Sequence, residues 1–197
     1  MLTLAIQAGG QSRRMGRDKG LIELGGVPLI EHLLRRVGGL ADEVLITTNN
    51  PVGYAYLGLR LAGDDQPGAG ALHGLLTALR AARGDLVLIL ACDMPFVSRR
   101  LIEHLLALTP EADVVVPRWD DRFQPLHAVY RRATCLPAVE AALARDERRV
   151  ISFYEGLQVV TVDEETVARL NPGGRSFFNI NTPEDLAEAE RLLDAGT

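Results

Sequence analysis

Leu86-Val87-Leu88-Ile89-Leu90-Ala91 is an unbroken apolar run of strand length, followed by Cys92 and then by the charged Asp93. A strand with no polar alternation has no face for water, so it belongs inside a parallel sheet covered by helices on both sides. The rest of the chain keeps the rhythm that such a sheet requires. Leu2 to Gln7 and Glu43 to Thr47 read as strands. Each is followed by apolar residues at helical spacing, first Leu29, Ile30, Leu33, Leu34 and Val37, then Leu72, Leu75, Leu76 and Leu79. Gly38-Gly39 ends the earlier helix, and Ser98 is placed to cap one whose apolar side is Leu101, Ile102, Leu105 and Leu106. Asp113 to Pro117, Pro125 to Tyr130 and Gln158 to Val162 read as further strands, and Ala133 to Ala144 as a helix. After Phe177 to Asn181, Thr182 caps a last helix running from Pro183 to Leu193, with proline at the first position, where a missing N–H costs nothing. The expected fold is α/β, a three-layer Rossmann-like arrangement with a mostly parallel central sheet.

The chain of 197 residues suits one domain, taken here as 1–197, because cores stop growing only beyond ~250 residues. It shows no repeat, low-complexity tract or dividing linker. No apolar run approaches the ~20 residues of a bilayer span, and the apolar start lacks the basic flank of a signal peptide. A cytoplasmic location and no membrane partner are therefore expected. Cys92 and Cys135 stand far apart without paired spacing, which fits small buried hydrophobes better than a disulfide framework or a zinc knuckle. The net charge is -5, and the cations are gathered in one loop or scattered along helices, so no nucleic-acid partner is expected.

That loop is the chemical exception. Arg13-Arg14-Met15-Gly16-Arg17-Asp18-Lys19 holds four of the chain's 21 cationic side chains and follows Gly9-Gly10 at the end of a strand. Paired glycines let backbone N–H groups converge on an oxygen-rich group, so the loop suits a triphosphate better than a merely solvated turn. Ligands of open α/β sheets sit outside the carboxyl ends of the strands, which should make Gly9, Thr47 and Asp93 neighbours. Asp93 itself has two readings. It is either an Asx-turn residue or a ligand for a hard cation such as Mg²⁺, and the nearby cationic loop favours the metal.

Gln7-Ala8-Gly9-Gly10-Gln11-Ser12-Arg13-Arg14-Met15-Gly16-Arg17-Asp18-Lys19 resembles the L-A-G-G-x-x-x-R-M-G-x-D-K signature of nucleotidyltransferases that act on small molecules. Leu24 to Leu29, Gly70 to Gly74, Cys92 to Pro95, Glu147 to Val150 and Asn179 to Glu184 extend the likeness from end to end, and it is strongest with the molybdenum cofactor guanylyltransferase family. The resemblance implies GTP in the Gly9-Gly10 loop, Mg²⁺ on Asp93, and transfer of GMP to the terminal phosphate of molybdenum-carrying molybdopterin with release of pyrophosphate. It assigns triphosphate contacts to Arg14 and Lys19, and nucleotide contacts to the backbone of Gln7, Ala8 and Gly9. The base contact falls to Asp64 or its neighbour Asp65, whose carboxylate could accept from the N1–H and N2–H₂ edge of guanine.

Two positions depart from the family pattern. Gln7 stands where an apolar residue is usual, and Thr47 where many members carry an asparagine near the nucleotide; Asn49 or Asn50 could replace that amide. Arg148, beside Arg149, either meets the second substrate or serves a helix dipole. Asn179 and Asn181 either fix the metal or incoming phosphate or serve the turn before Thr182. His127 is the best-placed histidine for the pterin unless it is simply packed, and Trp119 is read as a loop aromatic that could cover the acceptor. A labile product implies transient contact with molybdoenzymes or their chaperones. Two other functions fit the same residues: cytidylyl or other nucleotidyl transfer to a different phosphorylated small molecule, and a non-catalytic module that delivers nucleotide or cofactor.

Overall fold

The computed structural model describes residues 1–8, 18–63 and 68–195. Gly9, Gly10, Arg14 and Asp64, together with Asp65, lie outside the described residues. The first half of the chain contains β1 (Leu2–Gln7), a 3₁₀ turn at Lys19–Leu21, a short hairpin of β2 (Glu23–Leu24) and β3 (Val27–Pro28), α1 (Leu29–Val37), β4 (Glu43–Thr47), α2 (Pro51–Tyr54), β5 (Arg60–Ala62), α3 (Ala71–Ala81) and β6 (Leu86–Ala91). The second half continues with α4 (Arg99–Ala107), β7 (Val114–Trp119), β8 (Arg122–Phe123), β9 (His127–Arg131), α5 (Arg132–Ala144), β10 (Val159–Val162), α6 (Glu164–Leu170) and α7 (Pro183–Asp194).

The central sheet has the order β10-β7-β9-β6-β1-β4-β5, with β8 attached to β7. β1 pairs in parallel with both β4 and β6, β4 with β5, and β7 with β10. β9 runs antiparallel to its neighbours β6 and β7, so the sheet is mostly parallel, as expected. The chain leaves β1 for β4 and β5 on one side, then crosses to β6 on the other. That reversal makes the β1/β6 boundary the switch point of the sheet, where a crevice opens beyond the strand ends.

The unbroken apolar run of β6 is explained by cover on both faces. Leu88 and Leu90 point into a core with Ile30 and Leu33 of α1, Leu101 and Leu105 of α4 and Val167 of α6. Val87 and Ile89 point the other way, into a core with Leu72 and Leu75 of α3 and Val139 of α5. A smaller cluster joins α7 through Ala189 to Leu24 of the hairpin and to Ile180, which precedes the helix.

Most expected elements are present with ends shifted by a residue or two. Trp119 requires a correction, because it is the last residue of β7 rather than a loop aromatic. Its half-buried ring packs on Phe177, with centroids 6.2 Å apart, and lies over Gly174. Gly174 has a φ of +65°, and a Cβ there would overlap the indole, so the chain needs glycine on both counts. α6 has no counterpart in the sequence reading. Its segment is short and polar, and only Val167 is buried, so there is little apolar period to detect. Its cap is nevertheless complete, with Asp163 accepting from Thr166 N. Among the described residues no helix is long and apolar enough to cross a membrane.

Candidate active site

At the carboxyl end of β1, Gln7 has Thr47 and Ala91 as register partners on its two sides. The ladder continues just past the strand: Ala8 N donates to Thr47 O at 2.8 Å, and Cys92 N donates to Gln7 O at 3.0 Å. Of the expected neighbours Gly9, Thr47 and Asp93, Gly9 lies outside the described residues, while the strand ends that carry Gln7 and Ala8, Thr47 and the approach to Asp93 lie side by side. β6 ends in a turn in which Met94 N donates to Ala91 O, and Asp93 projects from it with only 9% of its surface exposed.

Asp93 is the centre of a small polar cluster. Its Oδ2 accepts from Lys19 Nζ at 2.9 Å, and Lys19 Nζ also donates to Asn181 Oδ1 at 2.5 Å. The backbone closes the same triangle, since Ile180 N donates to Asp93 O at 3.1 Å. Three segments widely separated in sequence thus meet at one point. Asp93 Oδ1 is buried and has no hydrogen-bond partner among the described residues. That free oxygen suits Mg²⁺, which binds through one or two carboxylates together with substrate phosphates. Among the described residues no group of three or more His, Cys, Asp or Glu side chains forms a closed metal cage.

The position of Lys19 is built from its own turn. Asp18 caps the turn by accepting from Gly20 N at 3.3 Å, and its carboxylate accepts from the buried Tyr54 hydroxyl and from Asn50 Nδ2 at 3.4 Å. Asn50 in turn caps α2 by accepting from Gly53 N at 3.1 Å. Its amide is therefore engaged at the helix start. Burial, with Cys92 and Asp18 nearby, pushes the Tyr54 phenol well above its ordinary range, so it remains a donor. Burial likewise raises the Cys92 thiol far above the usual value, which leaves no thiolate at the centre.

Asn181 is fixed by the start of α7. Its backbone N–H donates to Asp185 Oδ2 at 2.8 Å, Thr182 N donates to the same oxygen at 2.9 Å, and Thr182 Oγ1 accepts from Asp185 N at 3.1 Å. This reciprocal cap holds the Asp185 carboxyl below its ordinary value, chiefly through the Asn181 N–H. Asn179 is used locally, its amide donating to Phe177 O at 2.9 Å.

Other expected residues lie apart from this cluster or play packing roles. Arg148 is exposed after α5 and pairs with Asp146 at 3.5 Å. His127 is fully buried on β9, edge-on to Phe177 at 5.2 Å, and burial lowers its pKa to about 3. It is a packed, neutral ring, so the packing alternative holds over the pterin contact. Thr47 is 4% exposed and shares the α3 face with Gln7. The Gln7 amide rests against Gly74, and its buried Nε2 has no partner among the described residues. Leaving such a donor unpaired typically costs roughly 1–3 kcal/mol.

Asp18, Tyr54 and Asp185 were not singled out from sequence. Asp18 lay inside the cationic motif and could have been read as a turn cap. Tyr54 lies 36 residues from Asp18 and had no local signal.

A family model described as "MobA-like NTP transferase domain" matches residues 4–160. The "Probable molybdenum cofactor guanylyltransferase" of Pelotomaculum thermopropionicum is 39% identical over 196 residues, covering 98% of this chain and 93% of that protein. The "Molybdenum cofactor guanylyltransferase" of Desulfosudis oleivorans is 34% identical over 197 residues, covering 99% and 97%. Among solved structures, molybdopterin-guanine dinucleotide biosynthesis protein A from Archaeoglobus fulgidus matches with a TM-score of 0.82 at 29% identity, over 98% of this chain and 99% of that one. The 4-diphosphocytidyl-2C-methyl-D-erythritol synthase of Anaerococcus prevotii shares the fold, with a TM-score of 0.76 at 18% identity over 98% and 96%.

Fold and family together define a small-molecule nucleotidyltransferase. The chain belongs to the MobA-like NTP transferase family.

Proposed function

We propose that the protein transfers GMP from GTP to the terminal phosphate of molybdenum-carrying molybdopterin and releases pyrophosphate. The observation that carries this reading is the bridge from Lys19 to Asp93 and Asn181 at the switch point of the sheet. The names borne by its 39% and 34% identical relatives support the choice of substrates.

In this reaction an oxygen of the acceptor phosphate attacks the α-phosphorus of GTP. A new P–O bond forms while the bond to the α,β-bridging oxygen breaks, and the electron pair leaves with pyrophosphate. Catalysis of this kind depends on positioning and on cations aimed at oxygens that gain charge. Lys19 is held where it can turn from its carboxylate partner to those oxygens, and Arg14 is assigned the same task from the cationic loop. Asp93 would hold Mg²⁺ through its free oxygen, and the ion, when bound, supplies charge neutralisation across the triphosphate. The backbone at Gln7, Ala8, Gly9 and Gly10 would carry the nucleotide, with Thr47 alongside, and Asp64 or Asp65 would accept from guanine. Asn179 and Asn181 would orient the incoming phosphate beside the start of α7, and Arg148 would reach the acceptor from outside the cluster.

The setting would be the cytoplasm, where the free buried cysteines Cys92 and Cys135 stay reduced, and the product would pass to a molybdoenzyme or its chaperone by brief contact. The test is incubation of the purified protein with molybdenum-molybdopterin, Mg²⁺ and each α-labelled nucleoside triphosphate in turn. Label should enter the dinucleotide product from GTP. Preferential incorporation from CTP or UTP would overturn the assignment, and binding without pyrophosphate release would favour a delivery module.

A further inference from the structure

Lys19 is the one lysine among the chain's 21 cationic side chains, the rest being arginines. Arginine presents a rigid, pre-organised fork, whereas lysine carries a compact charge on a flexible four-carbon stem. That freedom suits an ammonium that meets Asp93 and Asn181 in one state and a triphosphate in another. It also means that the placing of the charge falls to the turn beneath it.

The turn is seated on α2 at a separation that only glycine permits, and from both sides. A Cβ on residue 20 would lie 2.5 Å from Tyr54 Oη, and a Cβ on Gly53 would lie 2.9 Å from Leu21 Cδ1. Through this gap the Tyr54 hydroxyl donates to Asp18 Oδ1. The Tyr54 side chain is fully buried, so a phenylalanine would fill the same space, and a buried hydroxyl is costly unless it is bonded. Its partner is the carboxylate next to Lys19 in the chain. Gly20 N and Asn50 Nδ2 donate to that carboxylate as well, which turns Asp18 toward α2 and its own turn while the ammonium goes to Asp93 and Asn181. The start of α2 is in turn anchored to the strand ends: Asn50 N donates to Thr48 Oγ1 at 3.0 Å, and Thr48 N donates to Ala62 O, at the end of β5, at 2.9 Å.

We propose that Tyr54 is a positioning residue for the reaction, fixing Lys19 opposite Asp93 through its hydroxyl bond to the Asp18 carboxylate. This assignment rests on the reading of Lys19 as a triphosphate contact. Tyr54 is sealed from the crevice and touches no reacting atom. It carries the rigidity of the β4 and β5 ends, through α2 and Asp18, to the base of the lysine stem. A displacement of about 1 Å at a group that stabilises developing charge can cost up to about a hundredfold in rate.

The experiment uses the full chain grown with isotope-labelled lysine, which gives one side-chain ammonium resonance whose exchange with water is measured by nuclear magnetic resonance. Contacts with Asp93 and Asn181 should slow this exchange in the wild type. Tyr54→Phe should speed it by about tenfold, the worth of one hydrogen bond. Asp18→Ala should do at least the same, and the double variant should match Asp18→Ala within about twofold, because the hydroxyl acts through the carboxylate. In pyrophosphate release from GTP, Tyr54→Phe should lower kcat by about tenfold and leave KM for GTP within about twofold.

Circular dichroism and thermal unfolding establish that each variant is folded, and Asp18→Ala carries the same expectation if Tyr54→Phe does not fold. Lowered stability alone leaves the ammonium exchange of the folded protein unchanged. Unchanged exchange in the folded variants overturns the proposal, as does faster exchange with an unchanged kcat, or a double variant that exchanges markedly faster than Asp18→Ala. A wild-type protein that releases no pyrophosphate from GTP overturns the guanylyl reading instead, and the exchange rates still decide whether Tyr54 holds Lys19 in place.

Discussion

Gly20 lacks a side chain at the one point where the buried Tyr54 hydroxyl must reach Asp18, and Lys19 is held between that contact and Asp93. A Cβ on residue 20 would lie 2.5 Å from Tyr54 Oη and 3.3 Å from Cys92 Cβ. Gly20→Ala should therefore cost about 1–3 kcal/mol by overpacking. Tyr54→Phe loses the bond to Asp18 but removes the clashing atom, so the double variant should be distinctly less destabilised than the sum of the two. Urea unfolding of the four proteins measures that coupling, and additive costs would contradict the packing described.

His127 offers a second test at this scale. Its folded pKa of about 3 lies below the ordinary histidine value of 6.5, so the unfolded chain takes up the proton first as the pH falls. Stability is then lost between pH 6.5 and 3, at up to about 1.4 kcal/mol per unit. His127→Phe, placed beside Phe177, should gain about 2 kcal/mol on the wild type between pH 7 and pH 5. Parallel unfolding profiles for the two proteins would show that the ring is not held neutral.

Among the elements, α7 does most to complete the site, because its cap holds the residue that Lys19 touches. Asp185→Ala removes the acceptor of both Asn181 N and Thr182 N. The expected result is a loss of about 1–2 kcal/mol in stability together with a severalfold fall in turnover, measured by denaturant unfolding and by pyrophosphate release. Normal turnover with lowered stability would separate the cap from the chemistry. The cap itself was legible, since Thr182 followed by Pro183 is a local signal. Its approach to Asp93 was legible only as one of two readings of Asn181, and the contact of Asn181 with Lys19 had no local signal, because the two lie 162 residues apart and only the folded sheet and hairpin bring them together. Asp93 could be read from its position at the end of an apolar strand, and Lys19 from its place in a charged motif. Tyr54 and Asn50 hold Asp18 through tertiary contacts that leave no pattern in sequence, and the short polar α6 had too little apolar period to stand out.

At the scale of the molecule, one sheet is packed on both faces, so neither core can be removed without exposing the other side of the same strands. The chain is accordingly expected to unfold as a single cooperative unit, with tryptophan fluorescence and far-ultraviolet circular dichroism giving coincident transitions. Separate transitions would argue for two units where one domain is proposed. The alternation of strand and helix made the layered architecture readable, while the antiparallel direction of β9 was set by its pairing with both β6 and β7.

A crystal structure with Mg²⁺ and a non-hydrolysable GTP analogue tests the central claim most directly. The triphosphate should lie over Lys19, with the metal about 2.1 Å from an Asp93 oxygen and guanine toward the end of β1 that carries Gln7. A triphosphate bound away from this strand end, with Asp93 still paired only to Lys19, would contradict the account.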